Sequence, residues 1–170
     1  NPKIKFSDTV KDSKREKYQR VVIEEITERE CPKCNDRLNE HTYEIRELRN
    51  PMTKNKEPIP DGLEWSEDFD GKQEYNVGTM YFNFKWVTEG GGAQTRTLRC
   101  LHHFIKAQLE HLLQKHDVYF INILDGDILS KRKVHFEDLS SKPEYKYVKN
   151  FVYIGDTRDF IDWFKQLNVQ

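Results

Sequence analysis

The sequence predicts an α/β domain, with a mixed central sheet built from an antiparallel meander, a long helix and a buried strand. Three observations predict it. Residues 79–87, Thr-Met-Tyr-Phe-Asn-Phe-Lys-Trp-Val, are dense in aromatic side chains and read as a strand. Beyond a glycine run, Leu98, Leu101, Ile105, Leu109, Leu112 and Leu113 fall at steps of three and four, the stripe of an amphipathic helix over about 95–115. The run at 118–124, Val-Tyr-Phe-Ile-Asn-Ile-Leu, follows at once and reads as a central strand covered on both faces.

The remaining elements follow in chain order. Residues 1–17 are dominated by charge and read as a solvated arm; because the chain opens on Asn1 and not Met, a longer parent protein is expected. Tyr18, Val21, Val22 and Ile26 have helical spacing, although their β-branched content also fits a strand; helix is the reading adopted. From Cys31 to Pro60 the chain is polar and broken by Pro32, Pro51, Pro58 and Pro60. Turn chemistry at Asp70-Gly71 and Asn76-Val77-Gly78 leads into the strand at 79–87 as a meander. After the buried strand, Asp125-Gly126-Asp127 ends it and a polar loop runs to about Lys146. Phe151–Ile154 forms a last short strand, and Asp156 or Thr157 caps a helix with Phe160, Ile161, Phe164 and Leu167 inward. The expected organisation is an arm at 1–17 and one domain at 18–170, its core at about 67–124.

Composition sets broad limits. A chain of 170 residues that is 36% hydrophobic can bury one good core. No stretch approaches the about 18 consecutive apolar residues of a membrane span, and no secretory signal is present, so no membrane partner is expected. With 28 basic and 29 acidic residues, only a local basic patch could speak for nucleic acid. Three cysteines do not make a disulfide framework, which points to a reducing, cytoplasmic setting.

Strand alternation puts Met80, Phe82, Phe84 and Trp86 on one face and Tyr81, Asn83, Lys85 and Val87 on the other. A lysine beside an amide on a face that is otherwise apolar is costly unless something anionic lies against it. Downstream, Gly90, Gly91 and Gly92 allow close approach to a phosphate, and a helix N-terminus offers free N–H groups. Gln94, Arg96 and Arg99, on or beside the first turn, are side chains suited to base edges or phosphates. Cys31 and Cys34 have the spacing of half a structural zinc site, with His41, Cys100, His102 and His103 as candidate further ligands; Cys100 equally suits a small core position.

Meander, helix and buried strand in this order, with Phe69-Asp70-Gly71, Asn83-Phe84-Lys85 and Gly91-Gly92-Ala93-Gln94-Thr95-Arg96 within them, resemble the PD-(D/E)xK nuclease superfamily, and type II restriction endonucleases in particular. The matching stretch is about 67–124. The resemblance implies a restriction-endonuclease-like fold, Mg2+-dependent hydrolysis of double-stranded DNA and a homodimer acting on a palindromic target. It implies Asp70 as a magnesium ligand, position 83 as the second, and Lys85 orienting the water and offsetting charge on the phosphate. The first acid stays open among Asp70, Asp68, Glu67 and Asp61. Position 83 departs from the pattern, being Asn where the family has Asp or Glu, and an amide holds a hard cation more weakly than a carboxylate. Either Asn83 belongs to a divergent subfamily or it is a near-isosteric exchange for Asp. Two other readings remain: a DNA-binding module of the same fold without cleavage, and a zinc-stabilised interaction domain.

Overall fold

The computed structural model describes residues 12–48, 64–88 and 92–167. It is an α/β structure with a mixed four-stranded sheet, a separate antiparallel pair and four α-helices among the described residues. In chain order the elements are α1 (Asp12–Thr27), β1 (Asp36–Leu38), β2 (Ile45–Glu47), β3 (Gly71–Tyr75) and β4 (Gly78–Trp86). They continue as α2 (Gly92–Gln114), β5 (Val118–Asp125), α3 (Asp127–Ser140), β6 (Val152–Gly155) and α4 (Thr157–Leu167).

The sheet order is β3-β4-β5-β6. β3 and β4 form an antiparallel hairpin, and β5 and β6 then add in parallel. The first parallel step needs a crossover, and α2 supplies it. As the apolar run at 118–124 predicts, β5 is an interior strand with neighbours on both sides. The meander, however, contributes only two strands to this sheet.

Both faces of the sheet are covered. On one, Met80, Phe82 and Phe84 pack with Ile23 of α1 and with Phe160 and Trp163 of α4. On the other, Tyr81, Phe120 and Leu124 pack beneath Leu101, Ile105, Leu109 and Leu112 of α2 and Phe136 and Leu139 of α3. β4 therefore buries both of its sides, and Asn83 lies in a core layer. Leu113, counted in the stripe of α2, is 45% exposed, and Ile161 of α4 is exposed as well.

Several expectations need correction. Residues 12–17, read as part of the charged arm, belong to α1. The helix reading there holds, yet its buried face is not the apolar set named from sequence. It runs through Arg15, Gln19, Ile23 and Thr27, spaced by four. A mostly polar stripe is buried because it has partners: Gln19 donates to the Lys85 carbonyl at 3.0 Å and to Asp125 at 2.8 Å. The amide of Gln73 donates to Thr27 at 2.9 Å.

The polar stretch after Cys31 contains β1 and β2, three residues each, too short for a period to show. β1 is fixed from outside, since Asp36 accepts bonds from Tyr81 Oη and from Lys72 at 3.1 Å. The supposed polar loop after Asp127 is the helix α3. Among its described side chains Phe136 and Leu139 are the buried ones. Gly126 before it has φ of 100°, and a Cβ there would lie 2.2 Å from the Val87 carbonyl oxygen, so the turn between β5 and α3 requires glycine. Among the described residues no helix is long and apolar enough to cross a membrane.

Candidate active site

The hairpin register brings the sequence candidates together. Gly71 pairs with Phe82, and Asp70 N–H donates to the Phe82 carbonyl at 2.8 Å, so Asp70 sits at the head of β3 beside Asn83 on β4. The Asp70 carboxylate closes back on β4: its Oδ2 accepts the Phe84 N–H at 2.7 Å. Gly71 must lack a side chain here, because a Cβ would lie 2.4 Å from Cys31 Sγ. Arg20 of α1 donates to the Asp70 carbonyl oxygen and holds Glu16 at 3.0 Å.

Asp70, Asn83 and Lys85 line one cleft of about 660 Å3, together with Glu67 and Asp68 on the approach to β3, Arg96, Cys100 and Phe104 on α2, and Glu40 and Trp65 at the rim. Burial pushes the Asp70 carboxyl up to about 6. The Phe84 N–H opposes that rise, the Glu16 charge adds to it, and Lys85 and Arg20 oppose it. Lys85 Nζ makes no ion pair within 4 Å among the described residues, which leaves its charge available to the cleft. The Asp70 bond to Phe84 uses one carboxylate oxygen and leaves Oδ1 for a ligand.

Asn83 is held from behind by a buried row of amides. Its Nδ2 donates to Asn122 Oδ1 at 3.4 Å; Asn122 Nδ2 donates to Gln108 Oε1 at 2.8 Å and to the Tyr153 carbonyl at 3.2 Å; and Gln108 Nε2 returns a bond to Asn122 Oδ1 at 3.0 Å. The Tyr153 backbone oxygen can only accept, so it fixes which end of Asn122 is the donor and hence which end of Asn83 faces it. With Nδ2 toward Asn122, Asn83 Oδ1 is the atom left for the cleft. The sequence signals were Asn122 inside an apolar run and Gln108 inside an apolar stripe.

The remaining candidates separate. Asp68 is bound to Arg37 at 2.6 Å, and Glu67 is exposed at the cleft edge; Asp61 lies outside the described residues. Arg96 lines the cleft, whereas Arg99 lines a different hollow, between α2 and α3. The side chain of Gln94 also lies outside the described residues. Glu40, Trp65 and Phe104 are wall residues that sequence reading missed, and nothing in their local pattern marks them. Burial raises the Glu40 carboxyl pKa, against the pull of His103 and His41.

Of the carboxylates lining the cleft, Asp70 is the one that sits beside the amide oxygen Asn83 Oδ1, so a magnesium ion held on the strand pair would take these two. This is a minimal set that fits Mg2+, which usually takes one or two carboxylates and completes its shell with water and substrate phosphate. The cysteine pair fits zinc less well. Cys31 is buried against Gly71, and Cys34 lies 3.5 Å from the Phe69 carbonyl. Burial pushes their thiols up to about 12 and about 11. Of the proposed partners, Cys100 lines the cleft, His102 the hollow between α2 and α3, and His41 and His103 a third hollow. Among the described residues no three His, Cys, Asp or Glu side chains group as a metal site.

No protein-family model, no curated protein and no solved structure matches this chain.

Proposed function

We propose that this protein is a magnesium-dependent endonuclease of the PD-(D/E)xK type, acting on double-stranded DNA at a specific sequence, as a homodimer. One observation carries the reading: Asp70, Asn83 and Lys85 converge on a single cleft, with the Asp70 carboxylate bonded to the strand that bears the other two. A bound magnesium ion would supply Lewis acidity and an activated water for phosphodiester hydrolysis. Asp70 Oδ1 and Asn83 Oδ1 would hold it. Lys85, a strongly localised positive charge, offsets negative charge as it develops on the phosphate. Arg96 enters from α2 and positions a phosphate oxygen or a base edge. Trp65 and Phe104 give the cleft apolar lining beside these polar groups.

A DNA-binding module of the same fold is the second reading, and Asn83 favours it, because position 83 bears an amide where the family pattern has a carboxylate. The experiment is a magnesium titration on mixed-sequence plasmid, using the chain and its Lys85→Ala variant. Discrete fragments from the first, and none from the second despite intact binding, support the nuclease. Equal binding with no cutting at any magnesium concentration supports the module. Absence of both binding and cutting removes the nucleic-acid reading.

A further inference from the structure

The first turns of α2 separate two hollows. Arg96, Thr97, Cys100 and Phe104 face the Asp70 cleft, while Thr95, Leu98, Arg99 and His102 face a second hollow of about 470 Å3 that α3 closes with Arg132, His135, Phe136 and Asp138. At 100° per residue these two sets lie on opposite sides of the helix. Arg96 and Arg99 are three residues apart, so they neighbour each other across the exposed ridge between the hollows. Both are exposed.

Two arginines, Arg99 and Arg132, line the second hollow together with His102 and His135, against a single acid, Asp138. Neither Arg99 nor Arg132 forms an ion pair with an acid among the described residues. Burial, and after it the nearby His103, Lys142, Lys106 and His135, lowers the His102 pKa, so the two arginines supply the fixed positive charge here. In a chain with 28 basic and 29 acidic residues, such a concentration is local and not a reflection of overall charge. On the same helix Lys133 reaches Glu137 at 3.4 Å, so that acid is already paired and Asp138 is the one α3 presents to the hollow.

We propose that the groove between α2 and α3 binds the phosphodiester backbone of DNA beyond the stretch held in the Asp70 cleft, with Arg96 and Arg99 carrying the strand across α2. The inference rests on the nuclease reading for the identity of the polyanion. It concerns a different surface. Arg132 and His135 would contact phosphates without reading sequence, lengthening the footprint and steepening the dependence of affinity on salt.

The test uses a fluorescein-labelled 30-base-pair duplex of mixed sequence, with anisotropy titrations at several KCl concentrations, on the full chain, Arg132→Ala, and Arg132→Ala with His135→Ala. Both substituted residues are at the surface, and circular dichroism melts check the fold. The expected result is weaker binding with a plot of log K against log[KCl] that is shallower by about one for each phosphate contact removed. Unchanged affinity and slope in both variants overturn the inference, as does tighter binding of poly-glutamate than of duplex through Arg132. The two proposals fail separately. Shallow slopes in the variants of a protein that never cuts DNA keep the groove and lose the nuclease. Magnesium-dependent cutting that needs Lys85, with groove variants that bind like the parent, keeps the nuclease and loses the groove.

Discussion

Asp70 and Asp125 occupy opposite kinds of position while looking alike. Each stands at a strand end against α1, each is largely withdrawn from water, and burial raises the carboxyl pKa of both. Their hydrogen bonds differ. Asp125 spends both oxygens on the fold: Oδ2 accepts from Gln19 at 2.8 Å, and Oδ1 accepts the Thr157 N–H at 3.2 Å, which caps α4, along with the Thr157 hydroxyl at 3.4 Å. Asp70 spends one oxygen, on Phe84, and turns the other to a cleft that also holds Asn83 and Lys85. Burial and a raised pKa mark both residues, so neither property identifies chemistry; an uncommitted oxygen facing solvent-accessible space does.

The largest expected effect breaks the two apart. Asp70→Asn keeps an oxygen for the Phe84 N–H and removes the charge, so the fold should survive while magnesium-dependent cutting falls by about a thousandfold or more, the several kcal/mol a catalytic metal supplies. Plasmid cleavage and a thermal melt check this together. Survival of cleavage would move the active site elsewhere, and loss of the fold would make Asp70 a second Asp125.

Asp125→Ala should do the reverse. It strands the Thr157 N–H and leaves the Gln19 amide with only its bond to the Lys85 carbonyl, at about 1–3 kcal/mol for each buried N–H left unpaired. Urea unfolding should show the loss, with α1 and α4 loosening first in hydrogen exchange. A variant as stable as the parent would mean these bonds are made equally well to water.

pH sharpens the comparison further. The Asp70 carboxyl rises from 3.8 to about 6 on folding, so the folded state binds its proton more tightly than the unfolded state does. Its contribution to stability is therefore fully present below pH 3.8 and is lost as pH rises through about 6, at a limiting slope of about 1.4 kcal/mol per pH unit. Stability of the parent minus that of Asp70→Asn, from urea unfolding between pH 3.5 and 7, should fall across that window. A flat difference would put Asp70 in water. Magnesium binding competes with the same proton, so affinity in calorimetric titrations should climb with pH to about 6 and then level.

How much was legible follows the physics of each signal. The strand at 79–87, the stripe of α2 and the buried run of β5 were readable because they bury apolar side chains at a regular period. Asn83 and Lys85 were readable because they interrupt one such face. α1 was half readable, since its buried side is Arg15, Gln19, Ile23 and Thr27, and a polar stripe announces burial only when its partners are known. Gln19 meets Lys85 and Asp125, residues more than sixty positions away, and no local pattern contains them. α3 is hard to read for the opposite reason: over 131–140 its buried residues are Phe136 and Leu139 alone, too few among charged neighbours to show a period. The division of Arg96 from Arg99 depends on where α3 lies, and no spacing along α2 could reveal it.

The smallest effect concerns Asn83, and it separates the two explanations of that residue. If Asn83 stood in for an aspartate, Asn83→Asp would only restore a ligand. The amide row argues otherwise. Asn122 presents its oxygen to position 83 and cannot turn round without losing its bond to the Tyr153 carbonyl and its pair of bonds with Gln108. A carboxylate at 83 would face that oxygen with no proton between them. Asn83→Asp should therefore bind magnesium more tightly, through its added charge, and yet unfold more easily, by about 1–3 kcal/mol for a buried polar contact left unmatched. Calorimetry with magnesium and urea unfolding without it measure the two sides. A variant that gains metal affinity at no cost in stability would show that the row tolerates aspartate, and would weigh for the exchange over the divergent subfamily. One that loses stability as expected shows that Gln108 and Asn122 are matched to asparagine, and that the cleft is built around an amide.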